Sequence, residues 1–281
     1  MKIAFLADFF VEDGINGGGE LNNEELIKLL KNKGILVKKI HTQNLNVQDL
    51  PDKNTNLIIG NFVALPPKSK DYITNECNYI IYEHDHKYLK TRDPSYFENY
   101  VAPENQIINK KFYENAKAVI TQSKLHKEVV EKNLKIDNVV NISGNLWSSD
   151  ILDYIENIAI EQNDKEDVCS IMYSSIPNKN LEGSLLYCKF KKLKSEKIMP
   201  CSHKEFLTKI NKNKSLVFFP KTLETLSRIV IEARMLNCKI ITNKKIGAAS
   251  EEWFKMKGKD LVDEMRERRE SIPNKVLEYL K

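Results

Sequence analysis

Short apolar segments rich in isoleucine and valine recur along the chain and alternate with longer segments in which apolar residues repeat at helical spacing. Such runs are typical of buried strands, and strands that alternate with helices form parallel sheets covered by helices. The pattern breaks at the polar, acidic residues 161–167 and then restarts, which predicts two α/β lobes. The predicted strands are residues 2–7, 35–40, 56–60, 78–82, 118–122, 139–143, 168–175, 196–201, 215–220 and 238–242.

The length of 281 residues also favours two lobes, because single domains usually have about 100 to 200 residues. We predict an N-terminal lobe at residues 1–148 and a C-terminal lobe at residues 149–252. Residues 253–281 are predicted to be a helical segment that returns to the N-terminal lobe. Pro273 is expected to break this helix or to begin a last short one, because proline removes a helix hydrogen bond.

The composition is globular, with 41% apolar and 30% charged residues, and the net charge of +5 is modest. One dense basic cluster, KFKKLKSEK, occupies residues 189–197. A solvated helix face is the favoured interpretation, while an anionic partner such as a nucleotide, an acidic glycan or a membrane surface stays open. Nucleic acid is not expected, because Phe190 is the cluster's one stacking aromatic and no recognition motif accompanies it.

Other features of the sequence suggest a cytoplasmic protein. No apolar stretch reaches the roughly 18 residues that a membrane span requires, and Asp8 interrupts the apolar run at the N-terminus. The five cysteines are scattered and include no Cys-x-x-Cys pair, so they are expected to be reduced and structural.

A glycine-rich loop, ADFFVEDGINGGGE, follows the first predicted strand. Gly17, Gly18 and Gly19 precede a predicted helix, where unpaired N–H groups suit an anion such as a phosphate. A dinucleotide-binding motif is disfavoured, because about ten residues separate the glycines from the strand and His41 stands where an acid is required. A surface loop without a ligand is the alternative interpretation.

Two acids, Glu224 and Glu232, stand with seven residues between them in KTLETLSRIVIEARML. Pro220 ends the preceding strand, and Thr225 is predicted to cap a helix that runs to about residue 236. The two acids would then lie about 10 to 12 Å apart along the helix axis, at roughly 1.5 Å per residue. An ion pair between Arg228 and Glu232 is the structural explanation of this pattern.

The functional explanation of the spacing is a sugar nucleotide. Glu224 could accept hydrogen bonds from sugar hydroxyls, and Glu232 could accept them from the ribose. Between the acids, the N–H groups of Thr225 and Leu226 at the helix start would face the diphosphate.

This stretch resembles the E-x7-E signature of the retaining GT-B glycosyltransferases related to glycogen synthases, with Glu224 and Glu232 as the two glutamates. The likeness extends over FFPKTLETLSRIVIEARMLNCKIITNKKIGA and, less sharply, to GGGE and AVITQSKLHKEVV. It implies two Rossmann-like lobes that face a cleft, with the donor bound mainly by the second lobe and the acceptor by the first. It further implies transfer of a hexose from a donor such as UDP- or GDP-hexose to a glycan, lipid or small-molecule hydroxyl, with retention and without a metal or other cofactor.

Further residues receive roles from the resemblance. In the EHDH sequence at residues 83–86, it implies that His84 faces the transferred sugar, with His86 as the alternate. Lys179 matches the lysine that holds the diphosphate, whereas Ser175 stands where an arginine is usual, so half of the positive clamp is missing. The candidate catalytic residues are therefore Glu224, His84 and Lys179, and the candidate donor-binding residues are Gly18, Gly19, Lys179, Glu224, Thr225, Leu226, Arg228 and Glu232.

Two competing hypotheses stay open. A non-catalytic module that binds a nucleotide sugar or a glycan would explain the incomplete clamp. A metal hydrolase centred on residues 83–86 would explain the two histidines and the aspartate of EHDH, although the sequence shows no further ligands for a metal. The sequence is silent on the donor base, the acceptor and the oligomeric state.

Overall fold

The computed structural model describes residues 1–15, 17–162 and 164–281. Asn16 of the glycine-rich loop and Asn163 of the polar stretch at 161–167 lie outside the described residues. The chain divides into two compact units. The first unit comprises residues 1–146 and 268–281, and the second comprises residues 147–267.

Each unit is built on one parallel sheet, and each of the ten predicted apolar segments overlaps a strand. The prediction of an α/β fold with two Rossmann-like parallel sheets is therefore confirmed. The strands are β1 (Lys2–Ala7), β2 (Leu36–His41), β3 (Asn56–Ile59), β4 (Tyr79–Tyr82), β5 (Val119–Thr121), β6 (Val139–Asn141), β7 (Glu166–Met172), β8 (Ser195–Ile198), β9 (Asn213–Phe218) and β10 (Lys239–Thr242).

Helices connect the strands and cover the sheets, as parallel pairing requires. The α-helices are α1 (Gly18–Asn32), α2 (Pro67–Glu76), α3 (Lys110–Glu114), α4 (Lys124–Leu134), α5 (Ser149–Glu161), α6 (Leu181–Phe190), α7 (His203–Lys212), α8 (Arg228–Met235) and α9 (Gly258–Glu278). In the described part of the chain, each helix is either too short or too polar to span a bilayer.

The order of strands locates the ligand-binding edge of each sheet. The first sheet has the order β2-β1-β3-β4-β5-β6, and the second has the order β10-β9-β7-β8. The order reverses between β1 and β3 and again between β7 and β9. Because the connections leave in opposite directions at such a point, a crevice opens at the carboxyl ends of the two strands, where ligands of open α/β sheets bind.

The last helix differs from the sequence prediction. The α-helix begins at Gly258, after two short 3-10 turns, and it continues through Pro273 without a break. Ile272 and Val276, on either side of the proline, are fully buried in the core of the first unit. Packing of this apolar face offsets the hydrogen bond that Pro273 removes, so the predicted break at Pro273 is wrong.

Candidate functional site

The carboxyl edge of the second sheet brings together two of the predicted site residues. Lys179 lies in the turn that follows β7, and Glu224 lies in the loop that follows β9, the neighbouring strand. The Nζ atom of Lys179 donates a hydrogen bond to Oε1 of Glu224 over 2.7 Å. Their side chains are 31% and 16% exposed, so both remain accessible to a ligand. The pair occupies the strand reversal, where the topology itself predicts a binding crevice.

The backbone of Glu224 is fixed by the loop that follows β10. Its N–H donates to the carbonyl of Lys245 over 3.0 Å, and its carbonyl accepts from the N–H of Gly247 over 2.8 Å. These bonds form a short parallel bridge to Ile246. Glu224 is therefore held on both sides of its Cα, which gives its carboxylate a defined position beside Lys179.

Helix α8 begins two residues later than the sequence predicts. Thr225 is not its N-cap, because Ser227 occupies that position and the helix starts at Arg228. Leu226 is buried and its carbonyl accepts from the N–H of Ala248, so residues 224–226 pair with the loop after β10 instead of starting a helix. The predicted diphosphate donors Thr225 and Leu226 thus lie in this loop, before the N-terminal turn of α8.

Ser227 is an unusual capping residue. Its φ of 78° lies in the left-handed region, which favours glycine over residues with a Cβ. Its hydroxyl forms no capping hydrogen bond, and Oγ is buried without a hydrogen-bond partner among the described residues. A buried hydroxyl without a partner costs free energy, and such groups are concentrated at strained or functional positions.

Glu232 lies on the buried side of α8 and is only 4% exposed. Its Oε1 accepts a hydrogen bond from Nε1 of Trp147 over 2.8 Å and one from Nε2 of His203 over 3.2 Å. Burial alone would raise the pKa of Glu232, but His203, Arg228 and Trp147 together bring this pKa below its ordinary value. The pKa of His203 is raised, because Glu232 outweighs the opposing effect of burial.

Arg228 forms an ion pair with Glu232, which is the structural role that the sequence suggested for this acid. Its Nε lies 3.9 Å from Oε1 of Glu232, and its guanidinium carbon lies 4.4 Å from the centre of the Trp147 ring. Ser175, at the place of the missing arginine, is exposed. Lys179 is therefore the cation that the turn after β7 contributes to this edge.

Sequence reasoning did not identify Trp147, His203 or Ser227. Trp147 and His203 stand 85 and 29 residues from Glu232 along the chain, and no periodic pattern connects them. Tertiary folding alone brings them together. Ser227 could have been noticed only through its backbone conformation, which the sequence does not reveal.

The first unit brings together another group of predicted residues. Helix α1 begins at Gly18, and a Cβ placed on Gly19 would lie 3.4 Å from the ring of His84, which follows β4. Nε2 of His84 is hydrogen-bonded to Oδ1 of Asn23, and the side-chain amide of Gln122 is hydrogen-bonded to Nδ1. The glycine loop and His84 are thus adjacent, and both nitrogens of the imidazole have partners.

His86 has a different environment from His84. It is 1% exposed, whereas His84 is partly accessible. Burial lowers the pKa of His86 to about 4, and its Nδ1 is hydrogen-bonded to the hydroxyl of Tyr88. Of the two histidines, only His84 is open to a ligand of the first unit.

The carboxylates beside these histidines are engaged with cations. Glu83 is buried and hydrogen-bonded to Lys87 and Tyr113, and burial raises its pKa to about 7. Asp85 accepts from Lys87 over 2.9 Å and from Nε of Arg92 over 3.0 Å. Among residues 1–15, 17–162 and 164–281, no three histidines, cysteines or acids are arranged to hold a metal ion.

Comparison with known proteins gives structural matches alone. No family model and no curated protein matches the chain. Sucrose-phosphate synthase from Thermosynechococcus elongatus is 11% identical, with a TM-score of 0.61, over 99% of this chain and 97% of that one. Anabaena HepE in complex with UDP-glucose is 13% identical, with a TM-score of 0.55, over 98% and 90%. UDP-GlcNAc 2-epimerase from Methanocaldococcus jannaschii, in complex with UDP-GlcNAc and UDP, is 12% identical, with a TM-score of 0.50, over 98% and 93%.

Similarity at this low identity establishes the fold alone. The neighbours include a synthase and an epimerase, so one architecture carries more than one chemistry, as is usual for common folds. The chemistry of this chain therefore depends on its own side chains. What the comparisons establish is that the chain has the two-lobed α/β fold of these proteins.

Proposed function

We propose that the protein is a glycosyltransferase that moves a hexose from a nucleotide-sugar donor to a hydroxyl acceptor with retention of anomeric configuration. The observation that carries the proposal is the pairing of Lys179 with Glu224 at the strand reversal of the second sheet, next to the start of α8. The family resemblance assigns Lys179 to the diphosphate, and the spacing of the two acids assigns Glu224 to the sugar. Two neighbours of the same fold were solved with UDP-sugars, which supports this class of donor.

The diphosphate would be held by three kinds of positive group. The ammonium of Lys179 has three protons, so it can donate to phosphate oxygens while it stays bonded to Glu224. The N-terminus of α8 supplies partial positive charge. The buried hydroxyl of Ser227, which lacks a partner among the described residues, would donate to a phosphate oxygen and thereby gain the hydrogen bond that it lacks. Together these groups would stabilise the charge that develops on the leaving diphosphate.

Glu224 and Glu232 would have different roles in donor binding. Glu224, partly exposed, would accept hydrogen bonds from hydroxyls of the transferred sugar. Glu232 would hold Arg228 and His203 in place through Oε1, which is hydrogen-bonded to Trp147 and His203 and lies 3.9 Å from Nε of Arg228. We propose that its other oxygen, Oε2, binds the ribose.

The chemical step would proceed on the front side of the sugar. The bond between the anomeric carbon and the diphosphate breaks while the acceptor oxygen bonds to the same face, and the leaving phosphate oxygen takes the proton of the acceptor. No protein nucleophile and no metal is then required. We propose that His84 contacts the sugar through its ring and does not transfer protons, because Asn23 and Gln122 bind its two nitrogens.

A donor and product screen tests this function. Nucleoside diphosphates and their hexose conjugates are tested for thermal stabilisation, and the products of those that bind are identified by mass spectrometry and NMR. We expect one donor to be consumed, an acceptor to gain a hexose with retained configuration, and the rate to be unchanged by EDTA. Donor binding without consumption would favour the binding module suggested by Ser175, and a free epimerised sugar would favour an epimerase. Failure of every nucleotide to bind would reject the proposal.

Matched variants locate the activity. Glu224→Gln and Lys179→Met should each lower kcat/KM about 10²-fold or more, as loss of a transition-state contact does. Glu182→Gln and Lys257→Met change exposed residues of the same unit and should leave the rate unchanged. Equal activity of Glu224→Gln and wild type would place the chemistry elsewhere.

A further inference from the structure

The opposite edge of the second sheet carries a feature that the proposed function does not use. In a parallel sheet all strands start at one edge and end at the other, so the starts of β7 to β10 lie away from Lys179 and Glu224. A groove of about 890 Å³ opens at this amino edge. The turn between α6 and β8 and the starts of β7, β9 and β10 form its walls.

The groove has a strong excess of positive charge. Its lining includes five lysines and one acid, Asp167. The lysines are Lys191, Lys192, Lys194, Lys214 and Lys239. Within the described part of the chain, none of these five lysines forms an ion pair, in contrast to Lys179 at the other edge. We call this groove, together with the adjoining end of α6, the basic edge.

Large apolar side chains adjoin these lysines. Leu186 and Phe190 are 64% and 80% exposed, and their spacing of four residues places them on one face of α6. The opposite face of α6 is buried through Ser184 and Cys188. Leu193, 39% exposed, lines the groove itself. Residues 189–197 are exposed throughout, so the apolar and the basic side chains form one continuous surface.

The combination of charges and apolar groups favours a membrane over other anionic partners. Lysines near a bilayer are attracted to anionic headgroups, while exposed phenylalanine and leucine gain free energy when they enter the interface. The groove contains no arginine for bidentate contacts with phosphate, and Tyr187 is its one aromatic residue. Nucleic acid binding usually needs a series of stacking platforms, which this surface lacks.

We propose that the basic edge docks on an anionic membrane surface, with its lysines against the lipid headgroups and with Leu186 and Phe190 inserted between them. Docking through this edge leaves the carboxyl edge of the same sheet free. The inference rests on the amino edge alone and does not depend on the proposed transferase activity.

Vesicle flotation tests the proposal. The full chain is mixed with vesicles of phosphatidylcholine alone or with one third phosphatidylglycerol, at about 0.1 M and about 0.5 M NaCl. We expect flotation with the anionic vesicles at the lower salt and its loss at the higher salt, because the Debye length shortens from about 10 Å to less than half of that. Equal flotation with neutral vesicles, or none with anionic vesicles, would overturn the proposal.

Two variants and a matched control assign the binding to this surface. The triple variant Lys191→Gln, Lys192→Gln, Lys194→Gln should bind about 100-fold more weakly, at roughly fivefold per lysine. Phe190→Ser should bind about tenfold more weakly. The control triple Lys204→Gln, Lys255→Gln, Lys257→Gln makes the same change in net charge on the same unit and should float like wild type.

Two further readouts make these results decisive. Circular dichroism melting should show all variants folded, and Phe190→Ser isolates the apolar contribution because it removes no charge. Equal losses in the control triple would overturn the proposal, since net charge alone would then explain the binding. Fluorescence anisotropy with a single-stranded oligonucleotide gives the last comparison. Binding to it that is tighter than binding to anionic vesicles, and that the basic-edge triple abolishes, would replace the membrane by nucleic acid.

Discussion

The two edges of the second sheet differ in whether their charged side chains form ion pairs. At the carboxyl edge, Lys179 is bonded to Glu224, and Arg228 and His203 surround the buried Glu232. At the amino edge, the five groove lysines have no acidic partner among the described residues. Paired and partly buried charges hold side chains in fixed positions, as a site for one specific small ligand requires. Unpaired exposed charges instead create a broad positive field, which suits an extended anionic surface.

The largest expected effect comes from removal of the buried acid. Glu232→Ala leaves Arg228 and His203 without their partner, and we expect a loss of about 3 to 5 kcal/mol in the free energy of unfolding of the second unit. Urea titration followed by tryptophan fluorescence measures this, since Trp147 donates directly to Glu232. Glu205→Ala breaks an exposed pair with Lys209 and should leave the midpoint nearly unchanged. A loss below about 1 kcal/mol for Glu232→Ala would show that the cluster does not hold this edge together.

The next effect has the opposite sign. Ser227→Gly removes the Cβ from a residue at φ 78° and should stabilise the chain by about 1 kcal/mol. It also removes the hydroxyl proposed to bind phosphate, so the affinity for the nucleoside diphosphate should fall roughly five- to tenfold. Thermal melting and calorimetric titration measure the two quantities. Lys135→Gly, at φ 56° in the first unit, is the matched control and should affect melting alone. Unchanged affinity for Ser227→Gly would remove Ser227 from the site.

A smaller effect depends on pH. The pKa of His203 is raised by Glu232, so protonated His203 contributes stability that is fully present below its unfolded pKa, near the ordinary value of 6.5. This contribution is lost as the pH rises through the folded pKa. The difference in melting temperature between wild type and His203→Gln should therefore be larger near pH 5.5 than near pH 8.5. A difference that stays constant over this range would contradict the assigned ion pair.

The smallest effect is expected at the amino edge. Lys192→Gln with Lys214→Gln should change the free energy of unfolding by no more than about 0.5 kcal/mol, because neither lysine has an acidic partner among the described residues. Any change should be a gain at low salt, from reduced repulsion, that disappears at high salt. Urea midpoints at the two salt concentrations measure it. A clear loss of stability would show that these lysines hold the fold, which would remove the contrast between the two edges.

Much of the fold could be predicted because strand segments carry local signals. Each of the ten predicted segments overlaps a strand, because short apolar segments of five to eight residues between helical stretches favour strands. Helix boundaries were less predictable. The N-cap of α8 is Ser227 and not the predicted Thr225, because residues 224–226 pair with the loop after β10. Helix α9 continues through Pro273, because the neighbours of the proline pack in a core.

The candidate site was predictable in part. The spacing of Glu224 and Glu232 singled out both acids, and the family resemblance added Lys179 and His84. The two acids differ in burial, because Glu224 is partly exposed and Glu232 is buried. Their spacing in the sequence does not predict this difference. No pattern in the sequence reveals that Trp147 and His203 meet at Glu232.

The sequence by itself determined the α/β class, the ten strand segments and the residues worth testing, because hydrophobic spacing and proline or glycine positions act over short stretches of chain. Only the tertiary structure decided which charges are paired and which remain unpaired. Pairing depends on groups from distant segments that meet when parallel strands align their starts at one edge and their ends at the other. For this reason cations are paired with glutamates at one edge of the sheet, and lysines form an open positive surface at the other.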